Sequence, residues 1–300
     1  MYSLSILIVN YNLTESIKNL LTSIQKFVKD INYEIILVDN NSTDRTIEEL
    51  KPLFPEVRFI YLKTNLGFGR GNNVAAQVAN GKYLLLLNPD TYLVNNMPLK
   101  LFNFAEQYPE FAIVGPRLIF PDGSFQLSTS RFPSVIQEIG NLSGLSIPSL
   151  RVINFFKYKI FKKLYYEVDY IFGSCMLINS NLFKEINGFD EDYFLFAEEA
   201  DLCYRVKKKT KYKIAYYIDS SIVHEKSMIT GKNLALRMKL GYESKLKFFQ
   251  KHYSAIKVLI IRYVIIIMLI FKFLSLFKNK QEKTNFKIAY RQIIRHYLRN

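Results

Sequence analysis

The sequence predicts an α/β protein with a doubly wound, mostly parallel sheet in its first half and a basic helical extension at its end. Three observations carry this. Near-continuous apolar runs recur through the first 90 residues, as strands buried on both faces require. Segments with apolar residues at helical spacing separate them. The formal charge of +15 is concentrated towards the C-terminus. At 300 residues, 49% hydrophobic and 22% charged, the chain is long and apolar enough to bury a sizeable core. That composition excludes whole-chain disorder and collagen-like structure.

Leu4 to Val9 reads as the first buried strand. Asn12 then caps a helix, with Glu15 three residues on completing a capping box, and Ile17, Leu20, Leu21, Ile24, Phe27 and Val28 form its apolar face. Ile35–Val38 is the second strand, and DNNSTDRT after it is a polar loop opening a helix whose end Pro52 and Pro55 bracket. Val57–Leu62 is the third strand. NLGFGRGNN reads as a loop before a helix through Val74, Ala75, Val78 and Ala79, closed by Gly81, and Tyr83–Leu87 is the fourth strand.

The second half is less regular. Phe111–Pro121 and Phe125–Arg131 read as strand pieces, and 132–168 as an insertion carrying Lys157, Lys159, Lys162 and Lys163. Asp169–Asn179 is a strand, Ser180–Ile186 a short helix ended by Gly188, and Glu198–Lys209 a helix. Lys213–Ile218 and Ile222–His224 are strands, and from about Leu234 the pattern is helical.

The charge distribution narrows the partners. Residues 1–150 carry a net charge of −1, and residues 241–300 one of +11. A near-neutral first half without a basic-aromatic motif opposes a nucleic-acid partner. Two cysteines, Cys175 and Cys203, make no disulfide framework and no Cys-based zinc site. The N-terminus has no basic region before its short apolar run, so it does not read as a signal peptide. A reducing, cytoplasmic location is the expectation.

Open α/β sheets bind ligands beyond the carboxyl ends of their strands. Polar residues stand at all four of those ends: Asn10 and Asn12, Asp39 and Asn41, Asn65, and Asp90. Together they outline a site for a polar, phosphorylated ligand. Asp39 can accept a hydrogen bond from an imide N–H such as N3 of uracil or thymine, or simply cap the next helix. The glycines of NLGFGRGNN permit positive φ and close backbone approach, and Arg70 can pair with a phosphate. The spacing matches neither a dinucleotide fingerprint nor a P-loop. Asp90, after the most apolar strand, is placed to bind Mg²⁺ or Mn²⁺ bridging a diphosphate, or to close a turn after Pro89. In FLFAEEADLCYR, Glu198 and Asp201 share a helix face while Glu199 points elsewhere. A carboxylate at the adjoining apolar wall would have a raised pKa suited to a general base, with the other acids structural, or all three simply favour a helix N-terminus by its dipole.

In order along the chain, ILIVNYN, ILVDNNSTD, NLGFGRGNN, LLLLNPD, FGSCMLI, NGFDE, FLFAEEADLCYR and a following His resemble glycosyltransferase family 2, above all its bacterial rhamnosyltransferase-like branch. The resemblance covers about residues 3–230. It implies a GT-A fold over 1–230, with a nucleotide-sugar half at 1–100 and an acceptor and catalytic half at 101–230. It also implies a sugar-nucleotide donor (dTDP-rhamnose or a UDP-sugar), a divalent metal, and inversion at the anomeric carbon. On this likeness Asp39 would bind the base, Asn10, Tyr11 and Asn12 the nucleotide with Asn41 beside them, and Asn65, Gly67, Arg70 and Asn72 the diphosphate and sugar. Asp90 matches the last Asp of the family's D-x-D, with Asn88 where the first Asp usually stands, so His224 would be the second metal ligand. Glu199 matches the catalytic base, where Asp is commoner. Gly173 and Ser174 would lie at the acceptor and donor-sugar junction. The processive members' Gln-x-x-Arg-Trp motif is absent from a chain with no Trp, which favours transfer of one or a few sugars.

Ile256–Phe277 is the most apolar stretch, long enough at about 20 residues to span a bilayer but interrupted by Arg262 and Lys272. With Lys278, Lys280, Lys283 and Lys287 following, an in-plane helix on acidic lipid fits better than a span. A packed helix or a contact between two copies is the alternative use of the 231–300 region. The expected protein is therefore a transferase at the inner face of the cytoplasmic membrane, moving a sugar to a saccharide or lipid-linked acceptor in cell-surface polysaccharide assembly. The competing readings are a nucleotidyltransferase of similar fold and a sugar-nucleotide-binding protein without transferase activity.

Overall fold

Four apolar runs become four parallel strands, because crossover helices cover both of their faces. In the computed structural model, which describes residues 2–44, 46–143, 163–225, 234–275 and 283–299, these are β1 (Tyr2–Asn10), β2 (Tyr33–Asp39), β3 (Val57–Tyr61) and β4 (Gly81–Leu87). The crossovers are α1 (Thr14–Phe27), α2 (Thr46–Leu50) and α3 (Phe68–Gln77). β1 pairs in parallel with β2 and β4, and β2 with β3, giving the spatial order β3-β2-β1-β4.

The sheet continues as β11 (Cys175–Asn179), β6 (Phe111–Ile119), β12 (Lys213–His224) and β5 (Thr91–Tyr92). β11 runs antiparallel to β4 and β6, and β12 runs parallel to β6. Short β7 (Phe125–Gln126) adds to β6, and β9 (Tyr165–Glu167) to β12. β8 (Thr129–Ser130) and β10 (Tyr170–Ile171) make a separate two-stranded ladder. α4 (Met97–Gln107), α6 (Ser180–Glu185) and α7 (Glu198–Lys209) complete this region. One face of the sheet buries Ile6, Ile8, Leu37 and Leu85 against Ile17, Leu20, Leu21 and Ile24 of α1 and Leu101 and Phe104 of α4.

Several expectations change. Asn12 is not a helix cap: it lies in the left-handed region at φ 57°, and α1 begins after Leu13 without a side-chain cap of its own. Asp44 instead accepts hydrogen bonds from the Thr14 N–H and hydroxyl, at 3.4 and 2.9 Å. NLGFGRGNN is not a loop throughout, since α3 begins at Phe68. Gly81 opens β4 rather than closing the helix. Asp169–Asn179 breaks into β10 and β11 around a turn, and the two final strand pieces join as β12, with a register shift between Tyr217 and Ser221. α4, unmarked by the periodicity, is capped by Asn96 and seated by Phe104 among Tyr108, Phe111, Tyr165 and Tyr217.

The chain divides into two compact units. One comprises Met1–Arg131, Phe161–Phe194 and Glu198–Met228 and contains the sheet. The other comprises Phe132–Ile160, Leu195–Ala197 and Ile229–Asn300 and contains α5 (Val135–Ser143), α8 (Leu234–His252), α9 (Ala255–Ser275) and α10 (Lys283–Arg299). Within it Lys245 pairs with the buried Glu138 at 2.9 Å, and Arg262 donates to the Tyr297 carbonyl. Lys157, Lys159, Lys162, Lys278 and Lys280 lie outside the described residues. Among the described residues no helix is long and apolar enough to cross a membrane.

Candidate active site

The carboxyl ends of β1, β2 and β4 lie side by side, and the loops leaving them are tied by buried hydrogen bonds. Asn10, fully buried, donates from Nδ2 to Asp39 Oδ1 at 3.0 Å and to Ser42 Oγ at 3.1 Å. Asp39 also accepts from the Ser42 hydroxyl and, through Oδ2, from the Ser42 N–H at 3.0 Å. Asn12 Oδ1 accepts from the Thr43 and Asp44 N–H groups, and its own N–H donates to Ser42 Oγ at 3.0 Å. Ser42 therefore joins both loops. Tyr11 is half-buried beside them and Asn41 is exposed, at φ 64°.

Asn40 braces the next loop. Buried, it accepts from Leu66 N–H at 2.8 Å and donates to the Gly67 carbonyl at 3.1 Å. Asn65 Oδ1 turns the chain by accepting from Gly67 N–H. Gly67 has φ +83°, and a Cβ there would meet the Phe194 carbonyl oxygen. The other glycines serve packing: a Cβ on Gly71 would strike Val9, and one on Gly69 would press on Phe189. Asn72 is buried within α3, donating to the Phe68 carbonyl. Arg70 donates from Nε to the Glu191 carbonyl at 2.7 Å and lies 3.7 Å from the Glu191 carboxylate.

After β4, Asn88 N–H donates to the Ser174 carbonyl, and Gly173 leaves room for the Phe68 ring. Asp90 is buried, with Oδ1 3.3 Å from His224 Nε2. Backbone register enforces this meeting: Thr91 pairs with His224, and Glu225 N–H donates to the Asp90 carbonyl at 2.9 Å. His224 Nδ1 lies 3.0 Å from Gln126 Oε1.

The acidic cluster opens α7. Phe68 N–H donates to the Phe194 carbonyl at 3.2 Å, fastening the approach to α7 onto the glycine segment. Phe196 and Ala197, the two residues before the helix, have φ 69° and 64°. Left-handed backbone costs a non-glycine residue roughly 1–2 kcal/mol. Glu198 is buried, and its Oε2 has no hydrogen-bond partner among the described residues. Burial and the neighbouring Glu199 push its carboxyl well above the usual range. Glu199 is half-buried, and desolvation raises it to about 7. Asp201 is fully buried and bonded to Arg205 Nε at 2.7 Å, and Arg205 also donates to the Ile186 and Gly188 carbonyls. Asp201 is thus a structural acid.

The profile described as glycosyl transferase family 2 matches residues 5–187, more than half of the chain. The chain belongs to glycosyltransferase family 2. It is a glycosyltransferase, and its relatives agree. It is 26% identical over 232 residues to the N-acetylglucosaminyl-diphospho-decaprenol L-rhamnosyltransferase of Mycobacterium tuberculosis, covering 73% of this chain and 75% of that protein. It is 29% identical over 214 residues to the rhamnosyltransferase WbbL of Escherichia coli, covering 67% and 75%. Among solved structures, TarS 1–349 of S. aureus in complex with UDP superposes with a TM-score of 0.52 at 18% identity, over 89% of this chain and 70% of that one. GalNAc-T7 with UDP, GalNAc and Mn²⁺ gives 0.60 at 15%, over 76% and 44%. These two likenesses concern the fold, which is the GT-A arrangement.

In this family 2 transferase, three residues that brace the site carry no mark in the sequence: Asn40, Ser42 and Gln126. Asn40 and Ser42 stand inside DNNSTD as ordinary loop polars. Gln126 gives no local signal, because its partner lies 98 residues away.

Proposed function

We propose that this protein transfers one sugar, with inversion, from a nucleoside-diphosphate sugar to a saccharide or lipid-linked acceptor in cell-surface polysaccharide assembly. The rhamnosyltransferase relatives favour dTDP-rhamnose as donor, with UDP-sugars next. The observation that carries the reading is the acid pair opening α7. Glu199, held near pKa 7 beside a buried Glu198, is suited to take a proton at neutral pH.

In this scheme Asp39 Oδ2, which accepts one hydrogen bond within the protein, keeps a lone pair for a pyrimidine imide N–H. Asn10, Tyr11, Asn12 and Asn41 line the nucleotide, while Asn65, Gly67, Arg70 and Asn72 shape the diphosphate and sugar side. Gly173 and Ser174 border the sugar. Glu199 takes the proton of the acceptor hydroxyl as its oxygen bonds to the anomeric carbon. The bond from that carbon to the diphosphate breaks on the opposite face, leaving the glycoside, the nucleoside diphosphate and a protonated Glu199.

Asp90 and His224 fit a divalent cation. A buried carboxylate oxygen and an imidazole nitrogen converge to 3.3 Å, and neither offers the other a proton when the ring carries its hydrogen on Nδ1. Among the described residues no cluster of three or more acidic, His or Cys ligands forms, so remaining ligands would come from donor phosphate and water, as is common for Mg²⁺. When bound, the ion would neutralise charge on the departing diphosphate.

The helical unit supports a membrane-surface location. Ile256, Leu259, Ile260, Tyr263, Ile267, Ile270 and Phe271 are exposed along one stripe of α9, spanning roughly 22 Å at helical rise. Val258, Ile261, Ile265 and Leu269 fill its buried side. An apolar stripe in a strongly basic segment suits an anionic bilayer surface, where a lipid-linked acceptor would be presented.

Glu199→Gln tests the central assignment. Transfer should fall about 10²- to 10⁴-fold, the usual worth of a general base, with donor affinity measured by calorimetry unchanged. Retained turnover would remove Glu199 from the reaction.

A further inference from the structure

Gln126 is not part of any loop at the carboxyl edge of the parallel strands, yet the sheet carries it to His224. The turn Pro121–Ser124 closes a hairpin in which Phe120 N–H donates to the Ser124 carbonyl, Ser124 N–H donates to Asp122 Oδ1, and Gly123 supplies φ +79°. That hairpin pairs Gln126 with Leu118 of β6, and Leu118 pairs with Ile222 of β12. His224 is two residues beyond Ile222, so its side chain leaves the same face of the strand. The amide and the ring therefore meet by register, at 3.0 Å.

The imidazole lies between two oxygen acceptors, Gln126 Oε1 at Nδ1 and Asp90 Oδ1 at Nε2. A neutral ring has one N–H to give. Given to Asp90, it would leave a lone pair on Nδ1 and block Nε2. Given to Gln126, it turns the Nε2 lone pair towards the Asp90 carboxylate, creating a two-donor pocket that a cation would complete. Metal-bound histidines are commonly fixed in this way through their other nitrogen.

We propose that Gln126 is a positioning residue that accepts the His224 Nδ1–H when a cation lies between Nε2 and Asp90, and so holds Nε2 as a ligand. This rests on the proposed metal site at Asp90 and His224; without a cation the Asp90 carboxylate is a stronger acceptor than the Gln126 amide and takes the ring proton at Nε2. The experiment uses the full chain labelled with ¹⁵N-histidine, with long-range ¹H–¹⁵N spectra recorded without metal and with saturating Mg²⁺. The chain has three histidines, and His224→Gln identifies the signal. Wild type should show the His224 proton on Nδ1 once Mg²⁺ is added. In parallel, Mn²⁺ affinity read by electron paramagnetic resonance should fall about 10- to 100-fold in Gln126→Leu. Gln126→Glu, which keeps an acceptor at the same length, should stay within a few-fold of wild type and guards against a leucine variant that does not fold. A Mg²⁺-loaded wild type without Nδ1–H, or an unchanged Mn²⁺ affinity in a folded Gln126→Leu, overturns the proposal. Wild-type protein that binds no Mn²⁺ would instead overturn the metal site itself.

Discussion

Glu199 can act as a base only when ionised, and its environment sets when that happens. With the carboxyl raised to about 7 by desolvation, the fraction ionised falls about tenfold per pH unit below that value. Transfer measured as kcat/KM should therefore climb towards pH 7 and level off above it, and the residual activity of Glu199→Gln should lack that rising limb. A wild-type profile flat from pH 5 to 8 would remove the assignment. The acid cluster was legible in the sequence, because three carboxylates in four residues follow directly on the apolar run Phe194–Ala197. Their burial followed from helical spacing: Glu198 and Asp201 turn inward, and Glu199 does not. Ser42 and Asn40 were not legible. Each is defined by loops that meet only after β1, β2 and the turn before α3 are assembled, and a single loop sequence carries no record of its partner.

Among the elements, α3 is where local propensity misleads. Glycine costs a helix interior roughly 1 kcal/mol relative to alanine, so three glycines in five residues read as loop. Tertiary packing offsets that penalty, since Gly69 and Gly71 let α3 approach Phe189 and Val9. Gly67 is the position that needs its conformation. At φ +83° and ψ −176° it occupies a region nearly closed to other residues, with the Phe194 carbonyl where a Cβ would stand. Gly67→Ala should cost about 1–3 kcal/mol in urea denaturation and weaken donor binding, because the same loop carries Asn65. The pair on α7 makes a separate prediction. Arg205→Met removes the guanidinium bonded to the fully buried Asp201 carboxylate and the donors to the Ile186 and Gly188 carbonyls. A loss of about 3–5 kcal/mol is expected, and a midpoint within error of wild type would show that the pair is not a structural lock. The main strands and crossovers were readable because both periodicities were clean. The break at β10 and β11 was not, since it depends on pairing with β8 and β4.

At the scale of the whole molecule, the charge of +15 separates into a near-neutral first half and a last 60 residues of net +11. The sequence exposed that asymmetry but not which apolar side chains of the tail would face outward. The structure supplies that: the stripe from Ile256 to Phe271 is exposed while Ile261, Ile265 and Leu269 are buried. Two forces then predict different signatures. Electrostatic attraction between the basic segment and anionic lipid is screened over about 8–10 Å at physiological salt, so binding to anionic vesicles should weaken as salt rises. Insertion of the stripe is not screened. Ile260→Glu with Ile267→Glu removes two exposed apolar groups, each worth roughly 1.5–3 kcal/mol when buried in a lipid boundary. Vesicle co-sedimentation should therefore fall by roughly tenfold or more per substitution at constant salt, without a change in thermal midpoint, because neither side chain is part of the core. If the double variant sediments like wild type, the stripe is not the membrane contact, and a salt dependence that survives would assign the attachment to charge alone.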